Sequence, residues 1–262
     1  MKTVTTRALQ ALKQAGETFS CLTAYDASFA RIASQAGIEV LLVGDSLGMV
    51  LQGHSTTLPV TLDDIDYHTR CVARGKEKSL LMADLPFMSN TSTERLLQDA
   101  GVLIRAGAEM VKIEGEAWLA EGIRELTRRG VPVCAHMGLT PQSVHQFGGY
   151  RVQGRDSVHA EQMVADAQAL VDAGASVILL ECVPAQLGRL MRDTLEVPVI
   201  GIGAGADVDG QILVMHDMLG VSARLPRFAK NFLAETDSIE AAFGAYHEAV
   251  KTRRFPSEEH SF

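Results

Sequence analysis

QAGIEVLLVGD (35–45), RAGAEMVKIEG (105–115) and DAGASVILLEC (172–182) share one pattern, an Ala-Gly followed by a short, largely β-branched apolar run. Glycine tolerates the left-handed conformation that stops a helix, and the apolar run then reads as a short buried strand. RGVPVCAHMG (129–138) and EVPVIGIGAG (196–205) are variants in which Val-Pro enters the strand. Proline is acceptable at a strand's first residue, before ladder hydrogen bonds are needed.

Working outward, eight such runs are predicted strands: Phe19–Ala24, Val40–Val43, Ser79–Ala83, Met110–Ile113, Val131–Ala135, Val177–Leu180, Val199–Ile202 and Ile212–Met215. Amphipathic stretches such as Ser28–Gln35, Thr93–Arg105, Trp118–Arg129 and His159–Asp172 separate most of them. Near-continuous apolar strands alternating with helices mean a parallel sheet with its outer face covered. Eight units in 262 residues favour a closed (β/α)₈ TIM barrel of one domain, residues 1–262, over an open doubly wound sheet. Residues 5–15 read as a helix closing the barrel's bottom, residues 238–253 as a last helix, and RRFPSEEHSF as an exposed tail.

A formal net charge of −8 argues against a nucleic-acid or anionic-membrane partner. The N-terminal stretch lacks the apolar run of a signal peptide, and no segment reaches the roughly 18 apolar residues of a membrane span. Cys21, Cys71, Cys134 and Cys182 form no CxxC pair, and three of them sit in apolar runs as packed thiols. A cytoplasmic enzyme is the expectation.

In a barrel, function collects where the strands end. Strand two ends in Asp45-Ser46, strand three in Asp84, strand four in Lys112-Ile113-Glu114; strand five carries His136 and strand six ends in Glu181. A lone Asp past a strand is ordinarily a helix cap, and a lone His a satisfied core residue. Together on one rim these groups need a positive partner, because unpaired buried charges cost several kcal/mol each. Lys112 neutralises one carboxylate; a hard cation shared by Asp45, Asp84 and Glu114, from adjacent strands, would neutralise more. Residues 44–61 and 137–156 are long loops suited to covering a site. GIGAGADVDG (201–210) fits a phosphate cradle or simply tight turns at the barrel mouth.

TAYD (23–26), LLVGDSLGMVLQGHSTTLPVT (41–61), ADLPFMS (83–89), GAEMVKIEG (107–115), HMGLTPQS (136–143), FGGYRVQGR (147–155), LLECVP (179–184), IGIGAGADVDGQILVMHD (200–217) and RFAKNF (227–232) carry a resemblance over essentially the whole chain. It resembles the ketopantoate (3-methyl-2-oxobutanoate) hydroxymethyltransferase family of pantothenate biosynthesis. The resemblance implies a barrel of the phosphoenolpyruvate mutase/isocitrate lyase group. It implies Mg²⁺ on Asp45, Asp84 and Glu114, substrate contacts from Asp45, Ser46, Asp84, Lys112 and His136, and Glu181 as catalytic base. It also implies 5,10-methylenetetrahydrofolate as co-substrate and a homo-decamer of two pentameric rings.

On that reading 3-methyl-2-oxobutanoate chelates the metal, Glu181 removes its C3 proton, and the enolate attacks the folate-borne carbon to give 2-dehydropantoate and tetrahydrofolate. Arg151, Arg155 or Arg224 are open choices for the folate's anionic tail. Two rivals remain: a lyase or mutase of the same barrel group, and a non-catalytic small-molecule sensor using residues 201–210. The first normally needs a poised cysteine or extra catalytic loop, and strand alternation predicts that Cys182 points away from the side Glu181 faces.

Overall fold

The computed structural model describes residues 3–262; residues 1–2, at the start of the expected domain, lie outside the described residues. Eight strands run in order around a closed parallel barrel: β1 (Phe19–Thr23), β2 (Val40–Val43), β3 (Leu80–Asp84), β4 (Met110–Glu114), β5 (Val133–Gly138), β6 (Val177–Glu181), β7 (Val199–Ile202) and β8 (Gly210–Leu213). The Ala-Gly repeats behave as read: Gly37, Gly107 and Gly174 take φ of 96°, 114° and 110° between a helix and β2, β4 or β6.

Two strands differ from the expectation by more than one residue. β5 begins at Val133 and runs on to Gly138, so His136 lies inside the strand. At Gly138 a Cβ would lie 2.4 Å from the Glu181 carbonyl oxygen, so only glycine lets β5 and β6 stay paired there. β8 begins two residues early at Gly210, where the ring of Phe19 occupies the space a side chain would need, and Met215 opens a short helix instead. The apolar run 212–215 straddled two elements, which composition does not separate.

The β7–β8 crossover has no helix; residues 203–209 make the whole connection. Parallel strands ordinarily need a dozen or more residues for this. Gly203 and Gly205, at φ 61° and 80°, make the short path possible. Packing therefore accounts for the glycines of 201–210: a Cβ on Gly203 would meet Phe262, and one on Gly205 would meet Ala185.

The helix Thr6–Ala15, capped by Thr5, lies across the barrel's lower end. Lys13 donates to the Arg192 carbonyl (2.7 Å) and pairs with Asp209 (2.9 Å), just before β8. The last helix, Ile239–Lys251, seals the β8–β1 side, with the Tyr246 hydroxyl 2.9 Å from the Cys21 carbonyl and 2.8 Å from that of Gln211. The tail is not exposed as a whole. Phe255 is buried against Phe232 and Tyr246, and Phe262 reaches the barrel mouth. Its aromatic residues have apolar surface to hide, and the segment folds back to hide it.

Candidate active site

Strand register brings the rim residues together. Asp84 on β3 pairs with Lys112 on β4, and Glu114 on β4 pairs with His136 on β5. Asp45, Ser46, Asp84, Lys112, Glu114, His136 and Glu181 all line one cavity of about 920 Å³ at the C-terminal ends of the strands. The expected rim is a physical site.

The capping explanation for the aspartates fails. Asp84 accepts from the Asp45 backbone N–H (3.1 Å) through Oδ2, and Asp45 accepts from the Gln142 side chain (2.9 Å). The short helix after Asp45 is Leu47–Val50, and no side chain caps it. Residues 44–48 also spell G-x-S-x-G, the pattern of a nucleophile elbow. Here Ser46 Oγ is bonded to the Tyr25 hydroxyl at 2.9 Å, with no general base recorded against it among the described residues. That makes it a held hydrogen-bonding group rather than a nucleophile.

Lys112 is the one ammonium in the cluster. Its Nζ lies 2.7 Å from Asp84 Oδ1, 3.6 Å from Glu114 Oε1 and 3.2 Å from His136 Nδ1. Burial opposes its charge, but Asp84, Glu114 and Asp45 outweigh that and raise its pKa, so it stays protonated. Lys112 has only protons to give, so His136 Nδ1 accepts and Nε2 carries the ring proton. Burial, then Lys112, lowers the His136 pKa and keeps the ring neutral. Nε2 then faces Glu181 Oε2 at 3.4 Å.

One ammonium does not offset Asp45, Asp84, Glu114 and Glu181. Burial raises the pKa of each: Glu114 adds to the rise at Asp45, Lys112 opposes it at Asp84 and Glu114, and His136 opposes it at Glu181. Asp84 Oδ1 is buried and met only by the Lys112 ammonium, and His136 Nε2 is buried and met only by Glu181, neither in a well-aligned hydrogen bond. Buried polar atoms are rarely left so without a ligand to meet them.

This donor set fits a hard cation. Glu114 is already committed, Oε1 facing the Lys112 ammonium and Oε2 accepting from the Gln142 N–H at 2.9 Å. Asp45, through its second oxygen, and Asp84, whose Oδ1 otherwise meets only Lys112, could hold such an ion directly. Among the described residues, no three acidic, histidine or cysteine side chains converge closely enough to enclose an ion by themselves. Mg²⁺ typically takes only one or two carboxylates plus waters and substrate oxygens, so two aspartates suffice.

A family model described as ketopantoate hydroxymethyltransferase matches residues 3–258. The chain belongs to that family. It is 74% identical to the 3-methyl-2-oxobutanoate hydroxymethyltransferase of Chromohalobacter salexigens, with both chains fully covered. It is 60% identical to that of Marinobacter nauticus, over 99% of this chain and 98% of the relative. It is thus a hydroxymethyltransferase acting on small molecules to form ketopantoate. Among solved structures it resembles a 2,3-dimethylmalate lyase of the phosphoenolpyruvate mutase/isocitrate lyase superfamily, at TM-score 0.61 and 19% identity over 84% of each chain. A phosphonopyruvate hydrolase complexed with oxalate and Mg²⁺ gives 0.63 and 17%, over 98% of this chain and 93% of the other. These likenesses show a shared barrel fold.

Sequence reasoning missed several residues that line or brace this cavity. Gln142 joins three strands' ends, donating to Asp45, to Glu114 and to the Leu85 carbonyl (3.0 Å). Its signal was an amide within the loop 137–156, which also sends Tyr150 to the cavity and to Met49 of the other loop. Cys182 corrects the alternation argument. A φ of 48° breaks the strand geometry, and Cys182 lines the cavity beside Glu181. Burial, then Glu181, raises its pKa and keeps it a neutral thiol. Arg224 and Arg227 line the cavity, whereas Arg151 and Arg155 do not.

Proposed function

We propose that this enzyme transfers a hydroxymethyl group from 5,10-methylenetetrahydrofolate to 3-methyl-2-oxobutanoate, giving 2-dehydropantoate and tetrahydrofolate. The observation that carries this reading is the gathering of Asp45, Asp84, Glu114 and Glu181 around one cavity with Lys112 as the single ammonium among them. Asp45 and Asp84 would hold Mg²⁺ directly, with Glu114 behind them, fixed by Lys112 and Gln142. The ion would supply Lewis-acid polarisation of the ketone. The oxalate and Mg²⁺ of the phosphonopyruvate hydrolase complex support a chelated oxo acid in this fold.

The chain's own residues do the rest. Lys112 offers a fixed positive charge to the carboxylate or the developing enolate oxygen. Ser46, held by Tyr25, and His136, through its Nε2 proton, orient the substrate. Glu181 removes the C3 proton; its raised pKa brings it closer to the range of a useful base at neutral pH. C3 then bonds to the donor's methylene carbon, both of that carbon's bonds to nitrogen break, water supplies the hydroxyl, and the two freed nitrogens take up the C3 proton and the remaining water proton.

The lyase or mutase rival would normally use a poised cysteine or an extra catalytic loop; of the two, the thiol at Cys182 is held neutral by burial and Glu181. No helix among the described residues is long and apolar enough to cross a membrane. The family resemblance supports a cytoplasmic homo-decamer, which light scattering after gel filtration tests directly. For the chemistry, the test is C3 deuterium exchange of 3-methyl-2-oxobutanoate, followed by folate-dependent product formation, with and without EDTA. Exchange should require the divalent cation, and product should require the folate donor too. Neither activity with both supplied would sink the proposal.

A further inference from the structure

The cavity has two halves of different chemistry. Its deep half holds the buried carboxylates, Lys112 and His136. Its outer half is lined by Val221, Phe228 and Phe262 and by the exposed guanidiniums of Arg224 and Arg227. At about 920 Å³ the whole is far larger than a small branched oxo acid needs.

Phe262, the last residue, is held there at several points. Its carbonyl accepts from the Ala185 N–H at 2.9 Å, at the start of the helix after β6. Its ring lies where a Cβ on Gly203 would be, 2.9 Å away, and the Arg227 guanidinium sits 5.2 Å from the ring centre. Arg227 Nε also donates to the Glu259 carbonyl at 3.0 Å. At the segment's other end Phe255 is buried in an aromatic cluster, 5.4 Å from Phe232 and 6.0 Å from Tyr246 between ring centres. A tail anchored at both ends, and closing on a glycine in the left-handed conformation, is part of the cavity wall.

We propose that residues 255–262 complete the reaction cavity, with Phe262 forming the apolar wall of an outer subsite for the larger substrate, a ligand with a planar apolar body and an anionic end. The apolar side chains would cover the planar body, and Arg224 and Arg227 would meet the anion. This rests on the folate-donor reading above.

The test is calorimetric titration of the full-length, Mg²⁺-loaded protein with tetrahydrofolate and, separately, with 3-methyl-2-oxobutanoate. Phe262→Ala should weaken tetrahydrofolate binding at least about tenfold, with the oxo acid affected less than about twofold. Unchanged tetrahydrofolate affinity, or equal loss for both ligands, overturns the proposal. Should Phe262→Ala not fold, Phe262→Leu decides: a loss confined to tetrahydrofolate supports it, and no loss overturns it. Wild-type protein that binds the oxo acid but not tetrahydrofolate would instead refute the donor assignment itself, a result distinguishable from loss in the variants alone.

Discussion

Glu39 and Asp45 stand at opposite ends of β2, both buried, in opposite chemical circumstances. At the lower end, Glu39 Oε2 accepts from the Ser20 N–H and hydroxyl, each at 2.8 Å, with His247 Nδ1 at 3.6 Å and Lys251 Nζ at 3.5 Å from Oε1. Burial raises its pKa, but His247 and Ser20 together more than offset this and leave it lowered. At the upper end Asp45 has one side-chain donor, Gln142, and its pKa is raised. A carboxylate with all its partners supplied by the chain is structural; one left short is waiting for a ligand. The barrel thus divides stability and chemistry between its two ends.

The strongest challenge to that contrast is Lys112→Met, which removes the rim's one ammonium and leaves Asp84 and Glu114 buried without a cation. It should cost about 3–5 kcal/mol in denaturant unfolding without added divalent ion, and less at acid pH where the carboxylates protonate. An equal cost at all pH values would mean that Lys112 acts by packing alone.

Glu181→Gln should lower C3 deuterium exchange at least about a hundredfold while oxo acid binding stays within a few-fold. Exchange at the wild-type rate would remove Glu181 as the base.

At the lower end, Glu39→Gln should cost about 1.5 kcal/mol at neutral pH. Because the Glu39 pKa is lower folded than unfolded, its contribution is present above the ordinary glutamate range and lost as pH falls through the lowered value. The variant's deficit should therefore shrink towards acid pH, and a deficit that grows there would reverse the assignment.

The smallest effect is the most diagnostic. Asp45→Asn should stabilise the metal-free protein at neutral pH by about 1 kcal/mol, because it removes a charge whose raised pKa marks it as unfavourable. Mg²⁺ should raise the Tm of the wild type, and the same change should abolish that rise. A variant destabilised without metal, yet still responsive to it, would count against Asp45 as a ligand.

The sequence by itself determined the barrel and the membership of its rim. Strand burial is written locally, in apolar runs ended by polar residues, and the edge of each run names the residue at the mouth. It could not say how those residues share protons and partners. Gln142 bonds to Asp45, 97 positions away, and Phe262 closes on Gly203 from the far end of the chain. Neither leaves a periodic trace, because a single long-range contact constrains one residue and not a pattern. Cys182 turned into the cavity through a backbone angle that alternation does not foresee. Only the tertiary structure decided which carboxylate oxygens stay free, which histidine nitrogen carries the proton and that the tail is a wall, since each depends on distances between elements the chain brings together last.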